Sequence, residues 1–172
     1  MNNIMIIDNF LEEQDYYIAL DIISKKKWKY GHISNEIEPV NTPFWTMNLT
    51  DEIFFSQYLK EIIENKISKK LELFRVYANG QTFGQDGTYH IDNEDDNTFT
   101  FCLYATKINK KDAQFSDGYI HIKIPNEKYI ISIEPIQNRG VFFPSNLIHK
   151  GCSFSRYIAD MRICIAWKMK EI

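Results

Sequence analysis

The chain is poor in cysteine, which limits the ways in which it can be held together. It has three cysteines, Cys102, Cys152 and Cys164, among its 172 residues. An odd number at wide spacing argues against a disulfide framework, and the lack of a CxxC pair argues against a structural zinc site. We therefore expect a protein folded by its own hydrophobic core in a reducing, cytoplasmic compartment.

The sequence also lacks long apolar runs and any excess of basic residues. No stretch approaches the 18 or so apolar residues of a membrane span, and the first residues lack the basic and apolar regions of a signal peptide. The net charge is −3 and the lysines occur only in short groups, so duplex nucleic acid is not a favoured partner. The expectation is a globular protein without a membrane partner.

Helical periodicity in the first part of the chain gives way to β-rich runs. Apolar residues recur at helical spacing over about residues 11–27 and 51–67. After these come short β-rich runs separated by Asn, Asp, Gly and Pro, at residues 71–76, 98–104, 119–124, 129–133, 141–143 and 162–169. The pattern predicts a single α+β domain, mainly β, with helices packed outside a β-sandwich or barrel.

The strongest candidate for a functional site is the His90-Ile91-Asp92 triplet, followed later by His149. Residues two apart on a strand point to the same face, so His90 and Asp92 could bind one ion together. Two imidazoles and one carboxylate form a typical Fe(II) face that leaves other positions open. Arg162 could then hold a co-substrate carboxylate by a bidentate contact. Taken one by one, these residues could equally form a turn pair, a surface histidine and a surface ion pair.

Other polar residues are not expected to be ligands. His32 is expected in solvent, and His121 alternates with isoleucines on a predicted strand. Asp95 and Asp96 are expected to be turn residues. The polar residues 30–42 are predicted to form a loop, either a mobile lid over substrate or an ordinary variable surface loop. The sequence does not choose between these two interpretations.

Several motifs in a fixed order give a more specific indication. They are FRVYANG (74–80), TYHID (88–92), TFTFCLY (98–104), DGYIHI (117–122), NRGVFFPSNLIHKG (138–151) and RICIAW (162–167). With these motifs the chain resembles the 2-oxoglutarate- and Fe(II)-dependent oxygenases, in their prolyl-4-hydroxylase-like branch. The resemblance implies a double-stranded β-helix, or jelly roll, over about residues 71–170. Supporting helices are expected over about residues 8–67, within one domain of residues 1–172.

The resemblance also implies roles for individual residues. His90, Asp92 and His149 match the metal ligands, and these are the expected catalytic residues. Arg162 and Tyr104 match residues that bind the distal carboxylate of 2-oxoglutarate.

A third expected contact to 2-oxoglutarate comes from Tyr77, which matches a tyrosine facing the end of the co-substrate nearer the metal. Packing in the aromatic core is the alternative for both Tyr77 and Tyr104. Arg156 competes with Arg162, because the 13-residue gap after His149 is longer than is usual in the family. Lys168 stands where the nucleic-acid demethylase branch often has a second arginine.

The implied function is a dioxygenase that hydroxylates a peptidyl residue, with proline the first guess, using O₂ and releasing succinate and CO₂. The implied cofactor is Fe(II), with 2-oxoglutarate as co-substrate and ascorbate as an accessory reductant. Two alternatives remain open at this point. One is a hydroxylase of a free amino acid or other small molecule, and the other is a non-catalytic, cupin-like metal-binding protein.

Overall fold

The computed structural model describes residues 4–34, 41–109, 112 and 116–172. Helix α1 is Glu13–Lys25, and a π-helical turn, Phe54–Tyr58, runs directly into α2, Leu59–Ile67. The described strands are β1 Met5–Ile7, β2 Lys29–His32, β3 Phe44–Asn48, β4 Leu71–Gln81, β5 Thr98–Tyr104, β6 Ile120–Lys123, β7 Ile130–Ile133, β8 Gly140–Pro144, β9 His149–Gly151 and β10 Arg162–Glu171. None of the described helices is long and apolar enough to cross a membrane.

The strands form two antiparallel sheets. The large sheet has seven strands in the order β1-β8-β5-β10-β4-β3-β2, and the small sheet has the order β7-β6-β9. One face of the large sheet packs on the helices, and the other packs on the small sheet. The predicted class, α+β and mainly β with helices outside the sheets, is confirmed.

Strand β10 contributes to both cores, because its side chains alternate between the two faces of the large sheet. Ile165 and Trp167 pack with the helices, whereas Cys164 and Ala166 face the small sheet. The indole Nε1 of Trp167 donates a hydrogen bond of 2.9 Å to the Phe55 carbonyl oxygen in the π-helical turn. The helices therefore hold the strand that also carries site residues on its opposite face.

The predicted loop over residues 30–42 is partly wrong. Its first residues belong to β2, which pairs with β3 at the edge of the large sheet. The Tyr30 and Trp45 rings lie 5.1 Å apart across this pair, and Gly31 takes a φ of 108° where the register shifts. Aromatic contact between strands thus stabilises a segment whose own composition is that of a loop. Residues 35–40, the middle of the suggested lid, are outside the described residues.

Candidate metal centre and its cavity

The backbone brings the two candidate histidine ligands together. The His90 N–H donates to the His149 carbonyl oxygen at 3.0 Å, and the His149 N–H donates to the His90 carbonyl oxygen at 2.9 Å. The Asp92 N–H donates to the Ser145 carbonyl oxygen at 2.9 Å, just beyond β8. Main-chain hydrogen bonds therefore fix the spacing of all three candidate ligands.

Both histidine rings are held in the orientation that suits a metal ligand. Nδ1 lies 2.9 Å from the Thr88 carbonyl oxygen in His90, and 2.8 Å from the Leu147 carbonyl oxygen in His149. Because a carbonyl oxygen can only accept, each Nδ1 carries a proton, and in the neutral ring Nε2 is the nitrogen left to bind a metal. Backbone carbonyls are thus the hydrogen-bond acceptors that metal-binding histidines require.

The three donor atoms converge on one point. Nε2 of His90 lies 3.5 Å from Oδ1 of Asp92, and Nε2 of His149 lies 3.3 Å from Oδ2. The ligand atoms of all three residues lie within 4.8 Å of one another. Two neutral imidazoles and one carboxylate on one side of a point are the donor set of the facial Fe(II) sites. The residues present therefore fit the expected ion.

The carboxylate of Asp92 is held in its ionised form. Thr100 Oγ1 donates to Oδ2 at 2.6 Å, and the Lys168 ammonium contacts the same oxygen. Burial acts to raise the pKa of Asp92, but the neighbouring Lys168 charge outweighs burial and holds this pKa well below its usual range. Asp92 is therefore an anion before any ion binds.

Lys168 is a second buried charge at this end of the site. Its Nζ also lies 3.2 Å from Thr100 Oγ1, and burial alone would lower its pKa. The neighbouring Tyr77 and Asp92 outweigh burial and raise the pKa of Lys168 above its ordinary value. Sequence reasoning missed this contact, although Lys168 lies six positions after Arg162 and so shares its face of β10.

Arg162 is buried at another part of the site, with 3% of its surface exposed. Its Nε donates to the Gly118 carbonyl oxygen at 2.7 Å, and its Nη1 donates to Gln81 Oε1 at 2.8 Å. Both partners are neutral, and among the described residues no carboxylate forms an ion pair with it. The guanidinium is therefore buried and hydrogen-bonded but not neutralised.

Tyr104 lies against this guanidinium, with its ring centroid 5.2 Å from the central carbon of Arg162. Burial raises the pKa of Tyr104 well above its usual range, although the charge of Arg162 acts to lower it. Its Oη is buried and has no hydrogen-bond partner among the described residues. An unneutralised guanidinium beside an unpaired phenol is what a carboxylate-binding site requires.

A cavity of about 160 Å³ joins the candidate metal ligands to Arg162. One water needs about 10–15 Å³ by this measure, so the cavity has room for a ligand of roughly ten non-hydrogen atoms. Its walls combine the ligands with polar and apolar side chains, including Tyr77, Asn79, Gln81, Cys102, Ile120, Arg162, Cys164, Ala166 and Lys168. Cys102 and Cys164 are buried core residues that also face the cavity.

The two competing arginines are clearly separated. Arg162 lines the cavity, whereas Arg156 is exposed and stacks on the Tyr157 ring at 5.3 Å. Tyr77 also lines the cavity. Of the two arginines, Arg162 therefore lies at the candidate site and Arg156 lies outside it.

The expectation that His32 lies in solvent is wrong. Its ring packs on Phe44 at 5.1 Å and on Tyr77 at 6.2 Å, and it lines the same cavity. Burial lowers the pKa of His32. The cause is the pairing of β2 with β3, a tertiary contact that the local composition does not show.

The other residues that were not expected to be metal ligands lie away from the three candidate ligands. His121 Nδ1 lies 2.7 Å from Ser132 Oγ on the small sheet. Asp95 accepts from the Asn97 N–H at 3.1 Å and pairs with Lys170 at 2.8 Å, while Asp96 accepts from Asn146 Nδ2 at 2.8 Å. Both aspartates stabilise the turn before β5.

Comparison with known proteins agrees with the fold. No protein-family model matches the sequence, and no curated protein matches it. A Trichoplax adhaerens prolyl hydroxylase, solved with a peptide fragment of hypoxia inducible factor, superposes with a TM-score of 0.73 at 20% identity, covering 99% of this chain and 84% of that one. A 2OG-Fe(II) oxygenase family oxidoreductase from Burkholderia pseudomallei gives a TM-score of 0.75 at 7% identity, with coverage of 97% and 84%.

A third similar structure is the epimerase SnoN from nogalamycin biosynthesis, in complex with Fe³⁺, α-ketoglutarate and a small-molecule ligand. It superposes with a TM-score of 0.68 at 7% identity, covering 98% of this chain and 79% of that one. These similarities confirm the resemblance at the level of the fold, including the expected jelly roll. The chain has the fold of the 2-oxoglutarate- and Fe(II)-dependent oxygenases, prolyl hydroxylases among them.

Proposed function

We propose that this chain is an Fe(II)- and 2-oxoglutarate-dependent dioxygenase that hydroxylates a peptidyl residue, with proline as the first candidate. It would consume O₂ and release succinate and CO₂. The observation that carries the proposal is one small cavity with a metal-type donor set and a separate, unneutralised guanidinium. A dicarboxylate co-substrate fits this arrangement, because one of its ends needs a metal and the other needs a cation.

Each site residue has a task in this proposal. His90, Asp92 and His149 would hold Fe(II), which together with bound 2-oxoglutarate supplies the oxidising chemistry. Arg162 and Tyr104 would bind the distal carboxylate, the guanidinium by charge and the phenol by donating its free O–H.

The protein would also shield the co-substrate and fix its orientation. Ile120 and Ala166 contribute apolar walls that would exclude water from part of the cavity once a ligand fills it, which would strengthen the electrostatic contacts there. Lys168 and Thr100 hold the Asp92 carboxylate in place from the side of β10 and β5. Tyr77 would border the co-substrate at its end nearer the metal.

A peptide substrate is supported by the similar prolyl hydroxylase, which was solved with a bound peptide fragment. A small-molecule substrate is the second candidate, because the similar epimerase was solved with a small molecule. The non-catalytic alternative is disfavoured by Arg162. A protein that only stores metal has no need of a buried guanidinium without a counter-charge.

The test is succinate formation by the purified protein supplied with Fe(II), 2-oxoglutarate, ascorbate and O₂. Substrates would be a panel of proline-containing peptides and free amino acids, with mass spectrometry to detect the added oxygen atom. We expect substrate-stimulated succinate formation that is lost in His149→Ala, together with tight metal binding. Wild-type metal affinity in His149→Ala, or equal succinate with and without Fe(II), would contradict the proposal.

A further inference from the structure

A polar surface leads away from the cavity along one face of the large sheet. On β4, Arg75 and Tyr77 lie two residues apart and so point to the same face. In the sheet register, Asn48 lies opposite Tyr77, Thr46 lies opposite Asn79, and Lys29 lies opposite Thr46. The face that carries the site therefore continues across β3 to the edge strand β2.

This surface forms an open groove of about 390 Å³. The groove shares His32, Arg75 and Tyr77 with the cavity, so the two spaces adjoin. Its ionisable side chains are basic or neutral, and they are Lys27, Lys29, His32, Arg75 and Tyr77. Within the part of the chain that the structure describes, no carboxylate lines the groove. We call it the basic groove.

Within the described residues, the cations of the basic groove have no counter-charge. Among the described residues no ion pair involves Lys27, Lys29 or Arg75, whereas the neighbouring Lys26 pairs with Glu52. Yet the protein as a whole has a net charge of −3, so a positive groove is not a by-product of a basic chain. Local positive charge at the mouth of a site raises the local concentration of anionic ligands.

Arg75 is well placed to bind a carboxylate. Its central guanidinium carbon lies 4.9 Å from the Tyr77 ring centroid, and the residue is exposed. Stacking on the ring leaves the N–H groups at the edge of the guanidinium available to a carboxylate that approaches in its plane. Arg75 thus lies at the border between the cavity and the basic groove.

We propose that the basic groove binds an acidic segment of the substrate peptide, next to the residue that enters the cavity. This rests on the proposed function and specifies its substrate class. Two steps between adjacent strands, from β4 to β2, cover about 10 Å, which is the length of about three residues of extended peptide. An Asp or Glu within about three positions of the target residue would therefore reach Arg75 or Lys29.

The proposal is tested by peptide binding, which does not depend on turnover. Proline peptides carrying a neutral fluorophore would be titrated by anisotropy with Zn(II)- and 2-oxoglutarate-treated protein, and with chelated protein. Each acidic peptide would be matched by one with Asn and Gln in place of Asp and Glu. We expect about tenfold tighter binding of the acidic peptide at low ionic strength, and a smaller difference at high salt.

Substitutions assign the effect to the groove. Arg75→Gln and Lys29→Gln should each reduce the acidic preference several-fold, and the double variant should abolish it. Lys25→Gln on α1, which removes a lysine paired with Asp21, should leave it unchanged. Circular dichroism would check that every variant is folded.

The outcomes separate this proposal from the proposed function. Equal affinity for acidic and neutral peptides, a preference that survives in the double variant, or no peptide binding at all would overturn the acidic-peptide proposal. Acidic peptides that bind through Arg75 without succinate formation would support the groove and contradict the dioxygenase. Succinate formation stimulated only by free amino acids would support dioxygenase activity and contradict the proposal of a peptide substrate.

Discussion

Arg162 and Lys168 are two buried cations on the same face of β10, but their surroundings differ. Lys168 contacts the Asp92 carboxylate, whereas the hydrogen bonds of Arg162 to described residues go to the neutral oxygens of Gly118 and Gln81. A buried charge is costly unless it is paired. The buried charge of Lys168 is therefore paired, and under the proposed function the buried charge of Arg162 would be paired by a bound anion. The partner, more than the residue type, distinguishes a positioning cation from a ligand-binding one.

The largest effect is expected from a substitution that removes the charge partner of Lys168. Asp92→Asn should lower the free energy of unfolding of the chelated protein by about 3 kcal/mol or more, because it leaves the Lys168 charge buried and unpaired. It should also abolish tight metal binding. Urea unfolding and metal titration would measure the two effects.

A second substitution separates these effects. The double variant Asp92→Asn/Lys168→Met should recover much of the stability without recovering metal binding, because no buried charge remains unpaired. A double variant no more stable than Asp92→Asn would show that Lys168 is not the source of the loss.

Removal of the Arg162 guanidinium should affect ligand binding more than folding. Arg162→Ala should weaken 2-oxoglutarate binding by about 100-fold or more, because the distal carboxylate loses its counter-charge. Metal binding should survive. Isothermal titration of 2-oxoglutarate into Zn(II)-treated protein would measure this, with Arg156→Ala as the matched control of little effect. The reverse result for the two arginines would mean that the wrong arginine is assigned.

The Asp92–Lys168 pair and Arg162 should also differ in how they affect the pH dependence of stability. The pKa of Asp92 is well below its model-peptide value of 3.8, so its contribution to stability is present above that pH and is lost as the pH falls through the folded pKa. In Lys168→Met the folded pKa should rise, and the loss should begin at higher pH. Unfolding of the chelated protein between about pH 6 and pH 2 would show this, because the wild-type loss lies below about pH 3.8. In Arg162→Ala, the loss of stability caused by protonation of Asp92 should occur at the same pH as in the wild type. A shift of this loss would show that Arg162 influences the Asp92 carboxylate.

The smallest effect is expected from Tyr104→Phe. Loss of one hydrogen bond of about 1 kcal/mol should weaken 2-oxoglutarate binding several-fold. The unliganded protein should not be destabilised, because the substitution removes a buried hydroxyl that has no hydrogen-bond partner among the described residues. Isothermal titration of 2-oxoglutarate would measure the weaker binding, and thermal unfolding without ligand would test whether the stability is unchanged. A clear loss of stability would mean that the hydroxyl has a partner in solution.

Sequence reasoning was strongest where a feature depends on local spacing. His90 and Asp92 lie together as their spacing predicted, although His90 forms only an isolated bridge with His149 and residues 90–92 are not a strand. Strand β5 was predicted with its observed bounds, Thr98–Tyr104. Alternation also places Lys168 on the face of Arg162, and Thr100 on the face of Tyr104. That Lys168 and Thr100 lie opposite each other depends on the register between β10 and β5, which no local pattern shows.

Features that depend on contacts between distant segments were missed. The position of His32 follows from the pairing of β2 with β3, and Gln81 reaches Arg162 because β4 continues beyond the predicted end at residue 76. Strand β9 is three residues long, too short to give a periodic signal, although it carries His149. Tertiary pairing stabilises these segments against their local composition.

The position of β10 has a consequence for biosynthesis. It is the last described strand in chain order, yet it lies between β5 and β4 in the middle of the large sheet. A nascent chain that has reached only residue 161 would expose unpaired edges of both neighbours, and such edges readily pair with other chains. We therefore expect this protein to complete its fold only after β10 has left the ribosome, with prematurely terminated chains prone to aggregate.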